Sequence, residues 1–493
     1  MASGHSYLAI DLGAESGRAI TALLAGDQLT LAEVHRFSNQ PVRLPDGLHW
    51  DVLRLWAEIK SGIAAASKSG GKLEGIGLDT WGVDFALLDR SGSLLANPIH
   101  YRDRRTDGML EAAFQRVPRD QIFAQTGIQF MQINSLYQLF AMVLDESPLF
   151  EIAETFLTIP DLFNYWLSGE IACEFTNATT TQCFDPRRRD WAFPLLEALQ
   201  IPGRLFRPVT QPGTVIGSLL PELADEFGSG PVPVVLPACH DTGSAVVAVP
   251  AQQDNFAWIS SGTWSILGCE TREPSLTPQA LDYNFTNEGG VQGTWRLSKN
   301  VMGLWLVQEC KRTWAAAGED LTYDEITRQA AEARPFTAVI DVDDNTFFHP
   351  GDMPGRVQAY CQRTGQAVPQ SKGQIVRVIL ESLALKYRLV LERLETLTGT
   401  RLDPIHIIGG GTKNRLLSQF IADCTGRRCI AGPIEATAIG NILMQAIGLG
   451  HLESLPAARA VVCTSFAPDI FYPANLGGWD EAYAQLQKVI SEC

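Results

Sequence analysis

Apolar residues near the start of the chain fall into short runs broken by turn residues. Residues 7–12 (YLAIDL) are stopped by GAESG, RAITALL resumes the pattern, and LTLAEVHRF follows a Gly-Asp turn. Runs of this length between turn signals predict a three-strand meander. From Trp50 to Ala66 the period changes, with Val52, Leu55, Trp56, Ile59 and Ile63 recurring at three- and four-residue spacing, which predicts a helix. GIGLD and FALLD then read as two strands on either side of TWGV, so meander, helix and return strand make an α/β layer.

The same arrangement starts again near the middle of the chain. FAWIS, a tight SGT turn and WSILGCE repeat the strand-turn-strand pattern of YLAID, LGAESG and RAITALL, which implies two related halves. Later, an apolar strand in DPIHII runs through three glycines into a segment whose Leu416, Leu417, Phe420, Ile421 and Cys424 share a helical face. Before it, Val378, Leu383, Leu385, Leu389 and Leu394 lie in a long helix from about Gln374 to Leu397 whose role is core packing. A Gly/Pro-rich loop at Gly228 to Pro233 leads into a strand at VVLPA, and the change of domain is expected at residues 244–255. The expectation is an N-terminal domain over 1–246 and a C-terminal domain over 247–493.

Composition narrows the class. At 493 residues the chain exceeds one ordinary core, and 45% hydrophobic against 19% charged residues excludes a disordered protein. The formal charge of −16 disfavours a nucleic-acid footprint or an anionic membrane surface and points to a small-molecule partner. No run reaches the roughly 18 apolar residues of a membrane helix. The opening MASGHSYLAID lacks the basic flank and apolar block of a signal peptide, so the expected location is the cytoplasm. The 10 cysteines show no CxxC pairing and do not make a disulfide scaffold. The spacing of Cys424 and Cys429 permits a local bridge, while thiols are the commoner outcome in a reducing compartment.

Three Gly-rich turns ask for one explanation: DLGAESGR at 11–18, SSGT at 260–263 and GGGTKN at 409–414. Backbone N–H groups in such turns surround phosphate oxygens, and glycine lets the ligand approach closely. None has the GK[ST] ending of a P-loop, and GGGTKN lacks the spacing of a dinucleotide fingerprint. Asp11, at the end of the first strand, suits either a hydrated Mg²⁺ or an Asx turn. Arg18 suits either a phosphate or the surface. In PACHDTGSAVV, Asp241 stands where a strand gives way to a helix. It is a candidate general base kept ionised by the helix N-terminus, or else Asp241 or Thr242 simply caps that helix. His240 by itself reads as a hydrogen-bonded structural histidine.

The motifs DLGAESGR, HRFSN, WDV, GLDTWGVDF, YRDRRT, GIQF, NSLYQL, TNATTTQ, HDT, SSGTWS, TNEGG, KNVMGLWL, HIIGGG and AGPIEA run from residue 11 to about 436. Taken together the chain resembles the FGGY family of carbohydrate kinases. The resemblance implies two actin-like (ribonuclease H-like) α/β domains flanking a catalytic cleft, with ATP and Mg²⁺ as cofactors and a small ketose as acceptor. It places Ala14, Glu15, Ser16, Gly17 and Arg18 at the nucleotide phosphates, Thr263 as a second phosphate contact, and Gln308 and Gly410 at the nucleotide site. Asp11 would hold the metal through water. Gly82, His240, Asp241, Thr242 and Asn300 match sugar contacts, and Asp241 matches the proton acceptor. Tyr101 stands where the broader family often has Trp, and Ala14 replaces a threonine, so the hydroxyl contact from that position is lost. TWGVDF and TNATTTQ favour L-rhamnulose, phosphorylated on its 1-hydroxyl, over L-fuculose or D-xylulose; a catalytically silent sugar-binding regulator is the rival from another class. Trp81 and Phe85 are candidates to meet the C6 methyl group.

Overall fold

The computed structural model describes residues 4–68 and 71–492, and Cys493 lies outside the described residues. The chain forms two compact units. The first takes the residues up to Gln252 together with Glu270–Leu297 and Ala436–Phe466; the second takes Gln253–Cys269, Ser298–Glu435 and the residues from Ala467 onward. The units are therefore interleaved in sequence, whereas the division expected at 246/247 cuts the chain once.

In the first unit the meander forms as expected, with β1 (His5–Leu12), β2 (Ser16–Ala25) and β3 (Gln28–Ser38) antiparallel in succession. β4 (Gly75–Thr80) lies parallel to β1, with Asp11 opposite Asp79. Every residue of β4 is buried, Asp79 and Thr80 included. β5 (Val215–Ser218) and β6 (Pro233–Val235) complete the sheet in the order β5-β6-β4-β1-β2-β3. The helix Val52–Lys68 buries Val52, Leu55, Ile59, Ile63 and Ala66 as one face. A second helix, Ala436–Gly448, reaches this unit from late in the chain, and its Gly440 meets the helix Asp241–Val247 so closely that a Cβ would stand 1.7 Å from the Ser244 carbonyl oxygen.

In the second unit β7 (Ala257–Ser261) and β8 (Trp264–Thr271) form the antiparallel hairpin that the sequence pattern predicts. With β9 (Trp295–Met302), β10 (Ile405–Ile408), β11 (Cys429–Ala431) and β12 (Asp469–Phe471) the order is β9-β8-β7-β10-β11-β12, and the strand Thr286–Gly289 lies beside β9 as the seventh of that sheet. β7 pairs parallel with β10, β10 parallel with β11, and β11 antiparallel with β12. The first sheet has the same sequence of pairings from β2 through β1, β4 and β6 to β5. The repeat read from two hairpins thus extends to a whole sheet topology. The long helix spans Lys372–Thr398 with a capping box at Ser371 and Gln374. Its expected apolar positions are buried.

The nine described cysteines form no disulfide, Cys424 and Cys429 included. No helix among the described residues is long and apolar enough to cross a membrane.

Candidate active site

The DLGAESGR turn is built by its neighbours. A Cβ on Gly17 would stand 2.3 Å from the Phe37 ring, so only glycine lets β2 lie flat on β3. Asn39 fastens the turn twice, its backbone N–H donating to the Glu15 carbonyl at 2.9 Å and its side-chain amide to the Gly13 carbonyl at 2.9 Å. That gives the HRFSN segment a physical task. Asp11 and Arg18 face each other across the β1-β2 hairpin, and Arg18 donates through Nε at 2.9 Å and Nη2 at 2.6 Å to Asp11 Oδ2. Asp11 is thus held by a cross-strand charge pair and not by an Asx turn, and Arg18 is partly buried against it.

Two further carboxyl groups, Asp79 and Asp241, feel the Asp11 carboxylate. Asp79 is fully buried; its Oδ2 accepts from Asn441 Nδ2 at 2.6 Å, while its Oδ1 has no hydrogen-bond partner. Gly77 leaves the space for that amide, since a Cβ there would meet Asn441 Oδ1 at 2.4 Å. Burial first, then the Asp11 carboxylate, push the Asp79 carboxyl well above the usual range. Asp241 is raised by burial and by Asp11, against the pull of His240 and Thr242. Its side chain keeps 28% exposure, so it is reachable from solvent. A raised proton affinity makes Asp241 a better proton acceptor than an ordinary carboxylate.

The loop carrying Asp241 is held from behind. The expected strand VVLPA stops at Val235, because Pro237 has no N–H to give a ladder. Residues 239–240 are instead fixed by buried Glu174, which accepts from Thr176 N at 2.9 Å, Thr176 Oγ1 at 2.7 Å, Asn177 N at 3.0 Å and Cys239 N at 3.1 Å. Thr176 Oγ1 in turn accepts from His240 N at 3.1 Å, and Thr80 N donates to the Cys239 carbonyl at 2.9 Å. His240 is the N-cap residue and Asp241 the first helical residue, which corrects the assignment of the cap to Asp241 or Thr242. Asp241 Oδ1 accepts from Thr242 N and, at 3.1 Å, from Thr242 Oγ1. His240 Nε2 lies 3.4 Å from that same oxygen, and His240 Nδ1 lies 3.1 Å from Arg296 Nη2 and 3.2 Å from Glu288 Oε2. Arg296 is wholly buried and also donates from Nε to the Gly289 carbonyl at 2.8 Å.

The motifs TWGVDF, TNATTTQ and NSLYQL interlock around Gly82 and Val83. Val83 has φ 69°, a left-handed conformation that a β-branched residue adopts only under constraint. Its N–H donates to Thr180 Oγ1 at 3.0 Å, and its carbonyl accepts from Ser135 Oγ and, at 3.2 Å, from Gln138 Nε2. A Cβ on Gly82 would meet Thr180 Oγ1 at 2.9 Å. TNATTTQ and NSLYQL are therefore the clamps of TWGVDF. Asp84, buried and raised to about 6 by that burial, accepts from Trp50 Nε1 at 2.6 Å, Trp81 Nε1 at 3.0 Å and Gln138 Nε2 at 3.0 Å. Trp81, Trp50, His100 and Tyr101 follow as one aromatic column, with centroids 4.1, 4.2 and 4.5 Å apart. Phe85 and Tyr101 are buried.

In the second unit the turn after β7 meets the segments that carry Gln308 and Gly410. Leu304 N and Trp305 N donate to the Gly262 and Thr263 carbonyls, both at 3.1 Å, so the helix Trp305–Ala316 bearing Gln308 starts on that turn. The Gln308 amide oxygen is buried with no hydrogen-bond partner. The Gly409–Gly411 turn packs on Ser261: a Cβ on Gly411 would stand 2.0 Å from Ser261 Oγ, whereas one on Gly410 would meet nothing within 4 Å. Gly410 therefore faces open space. Asn300 lies on β9 in this unit.

Glu174, Asp79, Asn441, Glu288 and Arg296 received no role from the sequence. Glu288 stands inside TNEGG and Asp79 inside GLDTWGVDF, but only burial reveals what they do.

The chain matches the FGGY family of carbohydrate kinases, N-terminal domain, over residues 6–248, and its C-terminal domain over residues 257–449. A relative named rhamnulokinase from Bacteroides thetaiotaomicron is 41% identical, covering 99% of each chain. Another of that name from Oceanobacillus iheyensis is 42% identical over 93% of this chain and 96% of its own. The crystal structure of gluconate kinase from Lactobacillus acidophilus superposes with a TM-score of 0.79 at 16% identity, covering 99% of this chain and 97% of its own. At that identity the likeness speaks for the fold.

Proposed function

The chain belongs to the FGGY family of carbohydrate kinases, and from that premise we propose that it transfers the γ-phosphoryl group of ATP to the 1-hydroxyl of L-rhamnulose. The observation that carries the chemistry is the convergence of Asp11, Asp79 and Asp241 with one arginine. Relatives named rhamnulokinase at 41% and 42% identity support the choice of acceptor.

Asp241 takes the proton from the 1-hydroxyl while that oxygen bonds to the γ-phosphorus and the bond from phosphorus to the ADP oxygen breaks. Glu174, through Thr176 and Cys239, fixes the loop on which Asp241 stands, and His240 braces its carboxylate oxygen. Such prior placement is what phosphoryl transfer mainly requires. Ala14 to Arg18, Thr263, Gln308 and Gly410 are the proposed nucleotide contacts; Gly82, His240, Thr242 and Asn300 are the proposed sugar contacts. The carboxylate excess and the unpartnered Asp79 Oδ1 fit a hard cation. Asp11, with Asp79 beside it, would hold Mg²⁺ through water, and the ion would supply neutralisation of phosphate charge.

Incubation with L-rhamnulose and ATP-Mg²⁺, followed by phosphorus and carbon NMR of the product, tests the reading. Phosphate coupled to C1 is expected. Phosphate on another carbon overturns the regiochemistry, and ADP without sugar phosphate overturns the kinase reading.

A further inference from the structure

At the other end of the same two strands stands a cluster that phosphoryl transfer does not use. β1 begins at His5 and carries Asp11 near its end; β4 follows Glu74 and carries Asp79 near its end. Six residue steps along the strand separate His5 from Asp11, roughly 20 Å. Glu74 Oε2 lies 2.8 Å from His5 Nδ1 and 3.4 Å from His451 Nε2. The three ligand atoms all lie within 4.8 Å of one another.

We propose that His5, Glu74 and His451 bind a divalent transition-metal ion of the zinc class. Two imidazoles and a carboxylate are a common zinc donor set, and ligand atoms about 2.1 Å from a tetrahedral ion stand about 3.4 Å apart. The two distances to Glu74 are near that edge. The supporting contacts fit as well. Tyr7 Oη lies 2.5 Å from His451 Nδ1, so an Nδ1–H donating to the phenol oxygen leaves Nε2 as the ligand atom. Burial and the neighbouring His5 lower the proton affinity of His451, against Glu74. Backbone contacts place two of the three residues: Glu74 N donates to the Ser6 carbonyl at 2.8 Å, and His451 N to the Ala446 carbonyl at 2.8 Å.

The His5 and His451 rings stack with centroids 3.8 Å apart, so His5, the most exposed of the three, must rotate out of that stack for both nitrogens to meet one ion. Imidazole nitrogen selects zinc-class ions over Mg²⁺, which the all-oxygen carboxylate cluster suits. A bound ion would tie the starts of β1 and β4 to the end of the helix Ala436–Gly448, which delivers Asn441 to Asp79.

The test is a calorimetric titration of chelator-treated, tag-free full chain with ZnCl₂ in excess MgCl₂, which occupies the hard-oxygen cluster. One equivalent with micromolar or tighter affinity is expected, weakened at least about tenfold by His451→Ala and by Glu74→Gln, and about tenfold by Tyr7→Phe through the lost outer contact. His5→Ala, at an exposed strand start, gives the same loss should the buried-side variants fail to fold. No stoichiometric uptake by the wild type, or uptake that the folded variants retain at full affinity, overturns the site and leaves Glu74 a hydrogen-bonding bridge between two imidazoles.

Discussion

At the scale of single residues, the reaction rests on Asp241 and the groups that hold it. Asn at this position keeps the hydrogen bond from Thr242 and the helix start but cannot take a proton. Asp241→Asn should therefore lower kcat by about 10² to 10⁴ with nucleotide affinity little changed. Turnover within a few fold of wild type in folded protein would return Asp241 to a capping role. Val83 makes a separate prediction. Its left-handed backbone stores about 1 to 3 kcal/mol of strain, which glycine would relieve while freeing the loop. Val83→Gly should unfold no lower than wild type yet raise the KM for L-rhamnulose at least about threefold, since a less preorganised site binds more weakly. An unchanged KM would show that the clamps from Thr180, Ser135 and Gln138 serve stability alone. Sequence reasoning reached Asp241 and Gly82 through motifs. Nothing in it gave Val83 a positive φ, because a β-branched residue reads as extended. Glu174 and Arg296 escaped for a related reason: a lone charged residue looks like surface until its burial is seen.

At the scale of elements, hydrophobic period predicted the meander, the repeated hairpin and the long helix, because each is long enough for its pattern to dominate. The short pieces behind Asp241 are governed by buried hydrogen bonds and were not legible. Those bonds carry a pH signature. Asp161, which accepts from Thr158 Oγ1 at 2.6 Å and Glu174 N at 3.0 Å, is raised by burial to about 8, and Glu174 by burial to about 7. In the unfolded chain both titrate near 4. Between these values the folded state binds more protons than the unfolded one, so stability falls as pH rises. The contribution is complete below about pH 4 and lost as pH passes 7 to 8, at up to about 1.4 kcal/mol per pH unit for each group. Urea midpoints from pH 5 to 8 should decline, and Asp161→Asn should flatten the decline. Parallel profiles for the two proteins would mean that Asp161 stays ionised in the folded chain.

At the scale of the whole molecule, a single cut near residue 246 follows from reading the chain in order. It misses that Glu270–Leu297 and Ala436–Phe466 return to the first unit, bringing Glu288, Arg296 and Asn441 to Asp241 and Asp79. Long-range returns leave no periodic trace. The assignment of Gln308 to the nucleotide predicts a selective kinetic effect. Gln308→Leu, in the second unit, should raise the KM for ATP by about tenfold, as loss of one hydrogen bond of about 1.4 kcal/mol does, and leave that for L-rhamnulose unchanged. Equal effects on both constants would remove Gln308 from the nucleotide side. The account as a whole is tested most directly by kcat/KM for a panel of acceptors in a coupled ADP-release assay. A site of buried polar groups rejects a misplaced hydroxyl at about 1 to 3 kcal/mol each. L-Rhamnulose should accordingly exceed L-fuculose and D-xylulose by at least about tenfold, with glycerol negligible. A panel in which fuculose or xylulose equals rhamnulose contradicts the assigned acceptor, and one in which no ketose or polyol stimulates ADP release contradicts the enzyme itself.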